Sequence, residues 1–440
     1  MNNQRKMGWK RYVVCAALLI CSLVGSSAAQ SQTRLIVRDS LGLTGINLTC
    51  AILRCQVLQG LGDPQGQLFV VTFPKLLSPL TATLNLQASF GVVSVEIDQA
   101  VATRPADAGY SDAYLYDRTA VSYYGTTVWH GFISQPATQI IHNDLAHSAF
   151  SVDGSNVVVA VIDTGVDPTH PALQGVLLPG YDFTRNQSGG SERADLDADD
   201  SQDMDSVPTA LVKQRTVAVL DQRTAAVLDN QQYAAFGHGT MTAGLVHVVA
   251  PKAAILPLKA FHSDGSAYSS DILRAIYYAV QNGADVINMS FNYTQYSSEL
   301  AKAIQYANKK GVISVAASGN DGTRTPTYPG ALPGVIDVAS TSNNDTQSSF
   351  SNYGAPPVWI AAPGEAVVAP YPLGTYAEAS GTSFSAPLVA GTAALMMGRH
   401  GNCPSTAVPW GLARAVWVFD TDLGFGRLDS YNAVQACHVY

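Results

Sequence analysis

The sequence predicts an α/β protein built on a parallel sheet and preceded by a small α+β unit. Three observations carry that reading. From Asn156 onward, short β-branched runs alternate with amphipathic helical stretches. Residues 30–101 hold three strand-like runs (RLIVR, QLFVVTF and VVSVEID) separated by apolar stretches of helical length. The 440 residues, 47% hydrophobic and 13% charged, suffice for one large core and a smaller one. That composition also excludes a disordered or collagen-like chain.

At the N-terminus, Arg5, Lys6, Lys10 and Arg11 precede an apolar run from Tyr12 to about Gly25, followed by the small residues Ser27, Ala28 and Ala29. This order reads as a secretory signal over residues 1–29, with export outside the cell or to a periplasm as its consequence. The run is short for a transmembrane helix, and no later segment reaches 18 uninterrupted apolar residues, so no membrane association is expected after signal removal. Without the four bases, Lys plus Arg stand at 21 against 33 Asp plus Glu. Such an acidic chain repels phosphate backbones and has no basic stripe interleaved with aromatics, so nucleic acid is excluded as a partner. A monomer is expected.

Four cysteines follow the signal: Cys50, Cys55, Cys403 and Cys437. An even number in an exported chain favours disulfides, and the lack of a CxxC with a matching His pair argues against zinc. Cys403 is expected to pair with Cys437. For the other two, Ile46, Cys50, Leu53 and Val57 share one helical face, and an unbroken helix sets residues five apart about 8 to 9 Å between Cα atoms, beyond disulfide reach. Either the helix breaks and Cys50 bridges Cys55, or both stay reduced, or one crosses to the C-terminal pair. The broken helix ranks first.

The small unit spans 30–101. Residues 102–138, rich in Tyr, Ser, Asp and Gly with little periodicity, read as a connector or extended arm. The main domain runs from 139 to 440. Its first strand is NVVVAVID, ending at Asp163; helices over Asp271–Asn282 and Glu299–Lys310 are followed by Gly283 and Gly311 as stops and by the strands ADVINMS and VISVAAS. This order implies parallel pairing with right-handed crossovers and places chemistry beyond the carboxyl ends of the strands.

An insertion interrupts the pattern at about 186–235. It holds an acidic segment and a tandem octapeptide, QRTVAVLD at 214–221 and QRTAAVLD at 222–229, two copies being too few for a solenoid. Asp195, Asp197 and Asp199 match the start of a calcium loop, but Asp200 stands where Gly is expected and Ser206 where the bidentate Glu belongs. A solvated acidic loop is the favoured reading, with structural calcium as its alternative.

Three residues share one chemical logic. Asp163 ends a buried strand; His238 lies between glycines in FGHGTMTAG; Ser383 lies in SGTSFSAP at the start of an apolar helix reaching about Arg399. A serine at a helix start has backbone amides and the positive dipole end directed past it, which suits a developing oxyanion. An imidazole can take its proton, and a buried carboxylate can fix the imidazole's tautomer. Asn320 in VAASGND ends another strand and offers a side-chain amide donor. Singly, each residue is more often a turn former, a loop residue or a cap. The order Asp, His, Ser on an α/β pattern reverses those odds.

At this point the chain resembles the subtilisin-like serine proteases, or subtilases. The similarity runs from about Gln139 to Asn432 through VVVAVIDTGVDPTHPAL, GHGTMTAG, VAPKAAILPLKAF, ADVINMSF, VAASGND, SFSNYG, AAPGE, SGTSFSAPLVAG and GFGRLD. It implies a secreted serine endopeptidase that forms an acyl-enzyme, with Asp163, His238 and Ser383 as triad and Asn320 as oxyanion donor. Ser290, Phe291 and Asn292, with Ala316, Ala317, Ser318 and Gly319, would flank the bound peptide. The small walls imply room for an apolar side chain, basic ones being poor unless Asp321 reaches in. No cofactor is required for the chemistry. The resemblance also implies that residues 30–101 are an inhibitory propeptide, FGVVSVEIDQAV resembling that domain's end, and that the chain processes itself.

The sequence departs from the family pattern at Met241 and Leu388, where histidines are common, at Asn292, where Gly is usual, and in the offset of 75 positions from Asp163 to His238. Rival functions are an aspartic protease, excluded because DTG at 163–165 has no second copy; a catalytically silent subtilase fold that only binds; and a peptide ligase or cyclase using the same acyl-enzyme.

Overall fold

Each β-branched run after Asn156 becomes a strand of one sheet in the computed structural model, which describes residues 33–74, 77–102, 113–196, 216–218, 233–398, 400, 402–419 and 422–438. The expected signal, Asp197, Asp199 and nearly all of the octapeptide repeat lie outside the described residues. The strands are β8 (Val158–Asp163), β9 (Tyr181–Asp182), β10 (Gln187–Ser188), β12 (Ala254–Lys259), β14 (Val286–Met289), β15 (Ile313–Ala317), β16 (Val335–Thr341) and β17 (Ile360–Pro363), in spatial order β10-β9-β12-β8-β14-β15-β16-β17. All neighbours pair in parallel except β10 with β9. Strands covered on both faces need continuous apolar sequence rather than alternation, and β12, β14, β15 and β16 are buried along almost their whole length.

Helices α3 (His238–Val249) and α6 (Thr382–Met397) cover one face, and α4 (Ser269–Gln281) and α5 (Ser298–Lys309) cover the other. Their sequences record the difference. Every residue of α3 is buried, so no polar stripe is visible, whereas α5 buries Leu300, Ala303, Ile304 and Ala307 on one side only. Met241 and Leu388 are packed in the core beneath α3 and α6, where apolar side chains fit without needing partners.

The first unit is an antiparallel sheet of β1 (Thr33–Asp39), β2 (Gln56–Gly60), β3 (Leu68–Phe73) and β4 (Val92–Ile97) in the order β2-β3-β1-β4, with α1 (Gly42–Leu53) and α2 (Pro79–Gln87). Strand alternation divides it between two cores: Leu35, Val37, Phe69 and Val71 meet Ile46, Cys50, Ala82 and Leu86, while Ile36, Leu68 and Val70 join the core around α4 and α5. β2 is the strand the sequence does not announce, since QVLQG has too little apolar content. α1 ends because Arg54 takes φ +59°, turning Cys55 back so that its N–H reaches the Cys50 carbonyl at 3.1 Å. Cys50 and Cys55 are bridged with Cα atoms 4.5 Å apart, and Cys403 is bridged to Cys437 at 5.3 Å.

The expectation of a connector over 102–138 needs correcting for its described part. A hairpin of β6 (Ala120–Tyr123) and β7 (Thr126–Trp129) and short helices at His130–Ser134 and Pro136–Ile140 fold onto the main core through Leu115, Val128, Phe132 and Ala137. Elements of four or five residues are too short to reveal a period, which is why the segment reads as irregular.

Candidate active site

The carboxyl ends of β8, β14 and β15 and the N-termini of α3 and α6 converge at one end of the sheet. Asp163 is the last residue of β8, and His238 is the first of α3. His238 Nδ1 lies 2.7 Å from Asp163 Oδ1. The same carboxylate accepts from Thr164 N at 2.7 Å and Thr242 Oγ1 at 3.1 Å, so its direction is fixed. The Asp and His segments approach so closely that a Cβ on Gly239 would stand 2.0 Å from the Gly165 carbonyl oxygen, which is why glycine follows the histidine. Burial pulls the His238 pKa down, but the Asp163 carboxylate and, less strongly, Glu192 outweigh it and hold the pKa above the ordinary 6.5.

Ser383 occupies the second position of α6, and its Oγ donates to the Ser290 carbonyl at 3.0 Å. The neighbouring Phe384 ring packs 5.5 Å from the His238 ring. Asp163, His238 and Ser383 are 3%, 7% and 6% exposed, nearly screened from bulk water. Asn320 Oδ1 accepts from both Thr382 N and Thr382 Oγ1 at 2.9 Å. That pins the amide beside the serine, with Nδ2 3.3 Å from where a Cβ on Gly381 would stand.

The expected peptide-flanking residues are placed unequally. Ser290, Phe291, Ala316, Ala317 and Ser318 are buried; Ser318 Oγ donates to the Asn352 carbonyl at 3.2 Å, and a Cβ on Gly319 would stand 2.4 Å from Asn352 Nδ2. Asn292 instead lines an open cavity of about 350 Å³ together with Asn320, Asp321, Gln99, Ala100 and Val101. Asp321 lines that cavity, whereas Ala316, Ala317, Ser318 and Gly319, the expected walls of the side-chain pocket, do not.

The calcium reading does not fit Asp195. One of its oxygens takes the fully buried Lys259 Nζ at 2.6 Å and the other pairs with Arg185, so the carboxylate is already neutralised. Among the described residues no group of three or more His, Cys, Asp or Glu side chains is arranged to hold a metal ion.

Sequence reasoning missed two features. Glu192 reads as one more member of an acidic run, yet it is wholly buried behind Thr164 and Thr240. Thr327 is also buried, its Oγ1 donating to the Ser318 carbonyl at 2.7 Å.

Residues 154–418 match the model of the subtilase family, peptidase family S8. The chain belongs to the subtilase family. Among curated subtilases it is 35% identical over 295 residues to thermitase from Thermoactinomyces vulgaris, covering 64% of this chain and 90% of that one. To subtilisin E from Bacillus subtilis (strain 168) it is 32% identical over 303 residues, covering 66% of each. Of solved structures, a cold adapted subtilisin-like serine proteinase matches 64% of this chain and 90% of its own at 29% identity and a TM-score of 0.51. Fervidolysin from Fervidobacterium pennivorans, a keratinolytic enzyme related to subtilisin, matches 92% of this chain and 61% of its own with a TM-score of 0.69; at 20% identity that likeness concerns the fold. As a subtilase this chain is a subtilisin-like serine endopeptidase, an enzyme of peptide substrates whose catalysis needs no cofactor. Among the described residues no helix is long and apolar enough to cross a membrane.

Proposed function

We propose that this subtilase is an exported endopeptidase made as a self-processing precursor, with Asp163, His238 and Ser383 as its triad and Asn320 as oxyanion donor. The observation that carries the reading is the 2.7 Å contact of His238 Nδ1 with Asp163 Oδ1, which leaves Nε2 as the proton-accepting nitrogen. Rotation of the Ser383 side chain away from the Ser290 carbonyl brings Oγ to that nitrogen, and His238 takes the hydroxyl proton as Oγ attacks the scissile carbonyl. The charge that develops on the carbonyl oxygen meets the Asn320 amide and the N-terminal dipole of α6. His238 then returns the proton to the leaving amine, and water hydrolyses the acyl-enzyme.

The precursor reading rests on how residues 33–102 meet the rest. β5 (Ala100–Ala102) pairs antiparallel with β13 (Ser266–Tyr268), and Gln99, Ala100 and Val101 line the cleft cavity, as a peptide bound by strand addition would. Upstream, Asp98 accepts from Ser270 N at 2.9 Å at the start of α4, and Glu96 accepts from Ser298 N at 2.9 Å at the start of α5. Two acidic side chains on helix N-termini hold the unit down, which suits an inhibitor joined to its own enzyme. The export reading rests on residues 1–29.

A serine-directed fluorophosphonate, followed by intact mass and N-terminal sequencing of the exported protein, tests all of this. Expected are one label on Ser383 and a mature start beyond residue 101. An unlabelled, folded, fully processed protein would sink the triad assignment; a labelled protein that retains residues 30–101 would sink self-processing alone.

A further inference from the structure

Glu192 has no exposed surface, and its carboxylate accepts four hydrogen bonds. Oε1 accepts from Thr164 Oγ1 at 2.5 Å and Gly237 N at 2.7 Å; Oε2 accepts from Thr240 Oγ1 at 2.7 Å and Thr240 N at 3.2 Å. The donors come from both halves of the Asp–His pair. Thr164 directly follows Asp163, while Gly237 and Thr240 bracket His238. Two of the partners carry the connection further, since Thr164 Oγ1 accepts from Gly239 N at 2.9 Å and Thr240 Oγ1 accepts from Asp167 N at 2.9 Å.

We propose that Glu192 is a positioning residue for the peptidase reaction, fixing Asp163 against His238 and lending its negative charge to the imidazolium that forms during turnover. The inference rests on the triad assignment above and adds to it a fourth group that never touches the substrate. The first turn of α3 presents N–H groups that the helix itself cannot satisfy, and a carboxylate there meets both those donors and the positive dipole end. With Glu192 wholly buried and His238 only 7% exposed, the carboxylate acts on His238 with little screening.

The charged and titratable groups facing Glu192 are Asp163 on β8, His238 on α3, Lys259 on β12 and Tyr371 on β18 (Val367–Tyr371). Burial pushes the Glu192 carboxyl up to about 7; the threonine hydroxyls oppose this, Asp163 adds to it, and Lys259 opposes it. Lys259 Nζ is itself bonded to the Thr164 carbonyl at 2.7 Å, so acid, base and threonine form one connected group. Glu192 therefore loses its proton as pH rises through about 7, so its charge acts on His238 on the alkaline side of that value.

The test is a pair of substitutions in the full chain, Glu192→Gln and Thr164→Val, with kcat, KM and the pH profile of kcat/KM measured on folded, fluorophosphonate-reactive enzyme. For Glu192→Gln, kcat should fall about ten- to a hundredfold with KM within about twofold, because the interaction lost is one that strengthens in the transition state. The acid limb should move to lower pH by about half a unit, since an anion near His238 is gone. Glu192→Asp should restore part of kcat. Thr164→Val keeps the carboxylate but unhooks it from the Asp163 strand, and should lower kcat about tenfold. Unchanged kcat and an unmoved acid limb in Glu192→Gln would overturn the inference; if that variant does not fold, unchanged kcat in Thr164→Val would. Full activity in Ser383→Ala would instead overturn the triad itself.

Discussion

Ser290 and Ser383 exchange two hydrogen bonds: Ser290 Oγ donates to the Ser383 carbonyl at 2.8 Å, and Ser383 Oγ donates to the Ser290 carbonyl at 3.0 Å. The cause lies four residues along α6. Pro387 has no N–H, so the Ser383 carbonyl lacks its helical donor, and the hydroxyl at the end of β14 supplies one. A proline inside a helix thereby ties the start of that helix to the sheet.

Replacing Ser383 or His238 by Ala is expected to lower turnover by roughly 10⁴ to 10⁶, with the double variant hardly worse than either single one, because the residues act as a unit. Steady-state kinetics with a chromogenic peptide checks this. Additive losses in the double variant would contradict the assignment.

Asn320→Ala should cost about 10² to 10³ in kcat at nearly constant KM, the size of effect that loss of the oxyanion donor has in subtilisin, the family's namesake. A large rise in KM at constant kcat would show that the amide serves binding instead.

The strand-and-helix order, the residues at the strand ends and the Asp163, His238, Ser383 order are legible because each rests on local pattern: a buried strand, a glycine-flanked histidine, an apolar helix start. What is not legible depends on tertiary contact. Glu192 looks like its acidic neighbours until Thr164 and Thr240 close over it, and Asp195 looks like a cation ligand until Lys259 reaches it from β12. The hairpin at Ala120–Trp129 is too brief for periodicity, and only its packing under Leu115 and Phe132 reveals it as part of the main core.

Asp337 supplies a stability prediction. It is 2% exposed, its Oδ1 has no hydrogen-bond partner among the described residues, and burial pushes its carboxyl from 3.8 up to about 7. A carboxyl raised in the folded state keeps its proton there while the unfolded chain loses it. Its contribution is therefore complete below pH 3.8 and is lost as pH rises toward about 7, on the order of 4 kcal/mol in all. Glu192 and Asp271, raised to about 7 and about 6, act with the same sign. Urea unfolding of the Ser383→Ala chain should show higher stability at pH 5 than at pH 8, with a smaller difference in Asp337→Asn. An equal difference in both would remove Asp337 as a source.

Arg38 joins the two units: Nη1 meets Asp63 at 3.0 Å and Nη2 meets Glu299 at 2.7 Å. Arg38→Met leaves both acids without their main partner, although Glu299 keeps Lys302 at 2.8 Å and Ser94 at 2.6 Å. In the Ser383→Ala chain a loss of about 2 to 3 kcal/mol is expected by calorimetry or denaturant unfolding. If processing removes residues 30–101 as proposed, the mature enzyme should melt at the same temperature whichever residue stood at 38.

Both disulfides close within a single unit, Cys50–Cys55 in the first and Cys403–Cys437 in the second. If the backbone between the units is cut as proposed, no disulfide among the described residues joins the fragments, and reductant would have no part in separating them. Liberation of the enzyme would then be governed by mass action: dilution, competition from incoming peptide, and digestion of whichever fragment wanders free. A trace of mature enzyme would clear inhibitor from its neighbours, so the onset of activity should be autocatalytic, with a lag that shortens as total protein rises.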